Sequence, residues 1–106
     1  MDLGEISPQT LMERLTREPP KLIDVREPWE FELCRIAGAI NVPLQTLPAR
    51  LPELEQSHDI VVICHHGMRS LYAAEFLRDQ GFSSVLNLTG GIARWGREID
   101  PGMPQY

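Results

Sequence analysis

The stretch Ile60-Val61-Val62-Ile63-Cys64-His65-His66-Gly67-Met68-Arg69-Ser70, continuing into Leu71-Tyr72-Ala73-Ala74-Glu75-Phe76-Leu77-Arg78-Asp79-Gln80-Gly81, decides the fold. A β-branched run ends at a cysteine, a short polar loop containing Gly67 follows, and apolar residues at helical spacing begin at Ser70. The pattern predicts a strand, a tight loop and a helix in succession. Cys64 then stands at the mouth of a loop that ends on a helix.

A cysteine is a nucleophile only as its thiolate, and the positive end of a helix stabilises that form. Unpaired amides of the loop and of the first helical turn are expected to converge on the sulfur and on an anion bound beside it. Gly67 lets the loop turn inward where a side chain would clash. Arg69 adds a fixed positive charge with planar donors, suited to an oxyanion such as sulfite or thiosulfate. The plain alternative is a strand-end cysteine that merely packs, because free cysteine is among the most buried residue types. The loop by itself leaves both readings open.

A chain of 106 residues suits one domain with a modest core, here taken as 1–106 with a short flexible tail from about residue 100. Hydrophobic residues make up 42% and charged residues 24%, ordinary values for a soluble globular protein. A net charge of -5 argues against nucleic acid as a general partner. No run is long enough to span a membrane, so no membrane partner is expected. The opening Met1-Asp2-Leu3-Gly4-Glu5 lacks the basic and apolar segments of a secretory signal. A reducing cytoplasm is therefore the expected location, where Cys64 stays a thiol. Cys34 and Cys64 are too few for a disulfide framework. Adding His58, His65 and His66 gives five nominal metal ligands. The adjacent pair His65-His66 would point apart on an extended segment, and no metal-ligand spacing occurs, so no metal is expected.

Along the chain, Glu5-Ile6 reads as an edge strand. Ser7-Pro8 opens a helix with apolar face Leu11, Met12 and Leu15, ended by Pro19-Pro20. Lys21 to Val25 reads as a strand, and Arg26-Glu27-Pro28 opens a second helical turn through Trp29, Phe31 and Leu33. Gly38 to Pro43 is a turn and a very short strand. Leu44, Leu47, Leu51 and Leu54 have helical spacing, broken by Pro48 and Pro52 into two short pieces. After the central strand and its helix, which ends at Gly81, Ser84 to Leu88 is another strand. Gly90-Gly91 begins a last helix carrying Ile92, Trp95 and Ile99, and Pro101-Gly102 releases the tail. Strands alternating with helices over short connections predict an α/β fold with a mostly parallel central sheet and helices on both faces. Ligands in such a fold sit outside the carboxyl ends of the strands, where Cys64 falls on the strand expected to be central.

Taken together these residues resemble the single-domain rhodanese family of sulfurtransferases, and the resemblance covers nearly the whole chain. Leu22 to Phe31 resembles the family's early signature, Gly38-Ala39-Ile40-Asn41-Val42-Pro43 its middle one, and Gly90-Gly91-Ile92-Ala93-Arg94-Trp95 its late one. Cys64 to Arg69 is similar to its active-site loop. Two departures stand out. Cys34-Arg35 replaces the usual Gly-His, which bears on the rim of the site, and His65-His66-Gly67-Met68 carries fewer fixed charges than some thiosulfate-processing relatives.

The resemblance implies thiosulfate sulfurtransferase activity. The Cys64 thiolate takes sulfane sulfur from thiosulfate or a similar small anion and passes it to a thiophilic acceptor, cyanide in vitro or a protein thiol. The covalent persulfide on Cys64 is the intermediate, without metal or organic cofactor. His65, His66, Gly67, Met68, Arg69 and Ser70 would form the persulfide-binding loop. Arg69 either braces the loop through backbone carbonyls or guides anions from solvent, and otherwise is a surface charge at a helix start. His65 and His66 are expected to raise the local positive potential or to have no role. Ser70 is read as a helix cap in preference to a persulfide donor. Asp24 and Arg26 read mainly as a structural pair that holds neighbouring loops, with attraction of the donor by Arg26 as the weaker alternative, and Arg35 joins the two as a candidate for site support. Trp29 and Trp95 read as core plugs. Cys34 is an incidental thiol unless it lies within disulfide reach of Cys64.

Two rivals remain. A phosphatase or arsenate reductase of related fold also uses a cysteine loop ending in arginine, but with one more residue between them, and the smaller ring here favours a sulfur atom. A module that only relays persulfide to, or senses it for, a partner protein has the same sequence signature. All catalytic readings require loop amides aimed at a thiol that a donor can reach.

Overall fold

The run Ile60–Ile63 forms a strand whose four residues are all fully buried, as an apolar run covered on both faces requires. The structure, a computed structural model, describes residues 4–54, 56 and 59–106. The opening residues 1–3 and His58, counted above among nominal metal ligands, lie outside the described residues. In chain order the elements are β1 (Glu5–Ile6), α1 (Pro8–Leu15), β2 (Lys21–Asp24), α2 (Pro28–Leu33), β3 (Ile40–Asn41), α3 (Leu47–Arg50), β4 (Ile60–Ile63), α4 (Met68–Asp79), β5 (Val85–Leu88) and α5 (Gly91–Glu98). Tight 3-10 turns at Leu44–Thr46 and Leu51–Glu53 flank α3.

The strands form one sheet in the order β1-β5-β4-β2-β3, parallel at every pairing. β4 is the middle strand, so Cys64, one residue past its carboxyl end, lies at the centre of the edge where such sheets place ligands. Strand alternation divides the core. Ile60, Val62 and Cys64 face one side with Ile23 and Val85, packed by Ala73, Ala74 and Leu77 of α4 and by Leu47 of α3. Val61 and Ile63 face the other with Leu22 and Leu88, packed by Leu11 of α1 and by Ile92 and Trp95 of α5. The sheet is thus covered on both faces, as its continuous apolar strands require.

Several local expectations are met. The Ser7 hydroxyl accepts from the Thr10 amide at the start of α1, with Pro8 following. The second helical turn opens at Pro28 as expected, with the Glu27 amide donating to the Glu30 carboxylate at 2.9 Å. Others differ. Met12 is 44% exposed, because the buried face of α1 is carried by Pro8 and Leu11, with Leu15 partly buried beside them. Trp29 is 61% exposed and plugs nothing, whereas Trp95 is buried. The leucine segment is three short pieces, with Pro48 and Pro52 each in the first turn of its piece. α4 starts at Met68, two residues earlier than the apolar spacing indicated, because Gly67 in the left-handed region (φ 104) is its cap. The segment after Pro101 folds back on the sheet: Met103 joins the core beside Trp95, and Tyr106 hydrogen-bonds to Arg26 and Glu30.

Candidate active site

The loop from Cys64 to Gly67 is held from outside by α5. The amides of Ile92 and Ala93, in its first turn, donate to the carbonyls of Cys64 (2.9 Å) and His65 (3.0 Å). That contact demands glycine at position 91, since a Cβ there would lie 2.4 Å from the Cys64 carbonyl oxygen. With these carbonyls drawn outward, the chain turns inward through Gly67, whose φ of 104 disfavours any L side chain. The Gly67 N–H then donates to Cys64 Sγ at 3.0 Å.

Where several loop amides are expected to converge on the sulfur, the described contacts are this one backbone amide and one side chain. Ser70, in the first turn of α4, is not the cap; its Oγ lies 3.2 Å from Cys64 Sγ and also donates to Asn87 Oδ1. The twelve-residue helix α4 directs its positive end at the loop, which favours a sulfur anion there. Cys64 itself is 1% exposed. The sulfur is therefore closed off from solvent in this arrangement, short of the donor access that the catalytic readings require.

Next to Cys64 in the chain begins a cluster of rings. His65 stacks on His66 at 4.0 Å and on Tyr106 at 3.9 Å, with ring planes 7° apart in the second pair. Trp29 meets Tyr106 edge-on at 5.6 Å. Burial, and secondarily the neighbouring His66, hold His65 below its ordinary value, which favours the second of the two readings open for it, that of no charged role. His66 and Met68 are exposed.

Arg69 takes neither role expected of it. Its Nη1 and Nη2 donate to Glu30 Oε1 (2.7 Å) and Oε2 (2.8 Å), a two-pronged ion pair from α4 to α2. The pairing raises the Arg69 pKa above its ordinary value, an effect to which the Cys64 sulfur adds electrostatically. Glu30, with only 5% of its side chain exposed, also accepts from the Tyr106 hydroxyl (2.8 Å) and the Glu27 amide (2.9 Å). Chiefly the Arg69 bonds hold its pKa at about 2. Burial raises the Tyr106 phenol to about 12, so it stays protonated and can donate.

Asp24 and Arg26 form the expected structural pair, both fully buried. Arg26 Nε and Nη2 donate to the Asp24 carboxylate at 2.9 and 2.7 Å, and further N–H groups reach the Cys34 carbonyl (2.6 Å) and the Tyr106 oxygen (2.9 Å). Burial opposes its charge, but bonds to Asp24 and Tyr106 outweigh this and the pKa is raised. Arg35 is exposed, its guanidinium over the Phe31 ring at 4.8 Å and outside the loop network. Cys34 and Cys64 are both free thiols and pack in clusters on opposite faces of the sheet.

Glu30, Asn87 and Tyr106 complete the site without having been singled out in the sequence. Glu30 stands at the third position of a capped helix, where a carboxylate already has a local explanation. Asn87 carries a signal, a polar residue inside the apolar strand Val85–Leu88. Tyr106 carries none.

Among known proteins, the family described as Rhodanese-like domain matches residues 7–98. The Sulfurtransferase of Allochromatium vinosum is 37% identical over 103 residues, covering 96% of this chain and 94% of that protein. The Adenylyltransferase and sulfurtransferase MOCS3-1 of Zea mays is 38% identical over 96 residues, which is 84% of this chain but 20% of that protein. The chain thus spans only about a fifth of the length of the maize relative. The crystal structure of a rhodanese-related protein from Thermoplasma volcanium superposes with a TM-score of 0.81 at 36% identity, covering 94% of each chain. On the family match, on a relative aligned nearly end to end and on the shared fold, this chain belongs to the family of rhodanese-like domains.

Proposed function

We propose that the protein is a thiosulfate sulfurtransferase that carries sulfane sulfur as a persulfide on Cys64. The observation that carries this reading is the Gly67 N–H aimed at Cys64 Sγ at 3.0 Å, beneath the positive end of α4. A fixed dipole at that place lowers the free energy of a sulfur anion at no reorganisation cost. In the first step the Cys64 thiolate attacks the outer sulfur of thiosulfate. A sulfur–sulfur bond forms to Cys64, the donor's own sulfur–sulfur bond breaks, and sulfite leaves with the electron pair. In the second, an acceptor nucleophile attacks the outer sulfur and the Cys64 thiolate departs with the pair.

Only four residues lie between Cys64 and Arg69, and that small ring favours a sulfur atom over a phosphoryl group; with Cys64 1% exposed, the reading requires that atoms covering the sulfur move aside before thiosulfate is attacked. The name of the Allochromatium vinosum relative, Sulfurtransferase, agrees with the reading. The persulfide needs no resident cofactor, and a reducing cytoplasm would keep both thiols free. Incubation with thiosulfate followed by intact-mass measurement should show one added sulfur on Cys64, and cyanide should then release thiocyanate. Sulfur uptake undiminished in Cys64→Ser would refute the assignment. Uptake without thiocyanate release would instead identify a relay that hands sulfur only to a partner thiol.

A further inference from the structure

Asn87 is the polar residue of β5, 4% exposed and buried against the loop. Its amide can be oriented by chemistry. Nδ2 lies 3.2 Å from the Gly67 carbonyl, which only accepts, so Oδ1 must face Ser70 Oγ. Ser70 Oγ in turn lies 3.2 Å from Cys64 Sγ. One hydroxyl proton therefore stands between two acceptors.

The two states of Cys64 use that proton differently. As a thiol, Cys64 S–H donates to Ser70 Oγ and the Ser70 hydroxyl donates to Asn87 Oδ1, leaving every group in the chain satisfied. As a thiolate, Cys64 has no proton to give, and the Ser70 hydroxyl must turn to the sulfur. Asn87 Oδ1 then loses its donor in a buried setting, which is costly. The thiol proton itself passes to a base in bulk water.

We infer that Asn87 is a positioning residue that restrains ionisation of Cys64 by competing with its sulfur for the Ser70 hydroxyl proton. The inference rests on Cys64 being the sulfur carrier. It assigns Asn87 a pull on the Ser70 proton that opposes the Gly67 amide and the end of α4, both of which favour charge on the sulfur. The charged groups on neighbouring elements are otherwise engaged. Arg69 of α4, which attracts charge on the sulfur, is paired with Glu30 of α2. Asp24 and Arg26, at the end of β2, are paired with each other, and Arg94 of α5 with Glu98. His65 in the loop is held below its usual range by burial.

The test is the pH midpoint for alkylation of Cys64 by iodoacetamide, measured in a Cys34→Ala background so that one thiol reports. Asn87→Leu removes the competing acceptor at similar size, and the midpoint should fall by about half to one pH unit, a roughly 3- to 10-fold larger ionisation constant. Ser70→Ala takes a donor from the thiolate, and the midpoint should rise. In the Ser70→Ala background, Asn87→Leu should produce no further fall, because its effect passes through Ser70. A residue that merely braced the loop through Gly67 would give the opposite sign, since loosening the Gly67 amide raises the midpoint. An unchanged or raised midpoint in Asn87→Leu overturns the inference, as does an undiminished fall without Ser70. If Asn87→Leu does not fold, Asn87→Val takes its place, and an unmoved midpoint in Ser70→Ala is sufficient refutation. Alkylation uses no sulfur donor, so these outcomes are independent of whether Cys64 accepts sulfur from thiosulfate.

Discussion

Replacement of Glu30 by glutamine isolates the ion pair that ties the loop to α2. The Glu30 carboxylate accepts two bonds from Arg69, one from Tyr106 and one from the Glu27 amide. Principally through Arg69, its pKa is lowered from 4.5 to about 2. A depressed carboxylate pKa adds stability that is complete above the unfolded value and disappears as pH falls through the folded one. The displacement corresponds to about 3 kcal/mol. The Arg69 side chain is 37% exposed and partly screened, so the expected loss in Glu30→Gln at neutral pH is about 2 kcal/mol. Glutamine keeps the volume and one acceptor oxygen, so the loss is one of charge and not of packing. Urea unfolding of both proteins from neutral pH down to about pH 3 measures it. The gap between them should narrow once pH drops below 4.5 and be a little over half closed at about pH 3, the remainder disappearing only through the folded value of about 2. A gap that is the same at all pH values, or below about 0.5 kcal/mol at neutrality, the range of an ordinary surface substitution, would refute the reasoning.

Gly91→Ala places a methyl group 2.4 Å from the Cys64 carbonyl oxygen, at a φ of +60. It should cost about 3 kcal/mol or more in urea unfolding and reduce sulfur loading of the residual folded protein; wild-type values for both would contradict the account of the loop. Tyr106→Ala removes the ring stacked on His65, and because burial is the main cause of the lowered His65 pKa, the value should rise on NMR titration. No movement would mean that Tyr106 does not cover that ring. Trp29→Ala should alter stability by no more than about 1 kcal/mol, whereas Trp95→Ala should cost about 3–5 kcal/mol; similar losses in the two would show that Trp29 is not the exposed side chain described.

What was legible in the chain is what depends on near neighbours. The apolar run Ile60–Ile63 can only be a strand covered on both faces, and Ser7-Pro8 carries its own helix start. The start of α4 was misplaced because the apolar spacing begins at Ser70, while the helix begins where Gly67 allows the chain to turn. The direction of Trp29 was not readable, because α2 spans only six residues and a helix that short has no periodicity to show which side faces the core. The sequence leaves Arg69 as a brace on the loop carbonyls, an anion guide or a surface charge, and not as half of an ion pair, for a similar reason. Its partner Glu30 lies 39 positions away, and only the sheet order, with β2 beside β4, brings the two together.

The coupling between the late signature and the loop explains why separate short motifs occur in one chain. A backbone that aims an amide at a sulfur must turn its adjacent carbonyls elsewhere, and those carbonyls need donors. The first turn of α5 has amides with no partner inside its own helix, and Gly91 lets them come close enough to take the Cys64 and His65 carbonyls. Asn87, on the strand leading into that helix, holds the Gly67 carbonyl from the same side. The inward-facing Gly67 amide is therefore as much a product of residues 91 to 93 as of the loop. A loop of this sequence without Gly91 would keep its cysteine and lose the geometry that makes the cysteine useful.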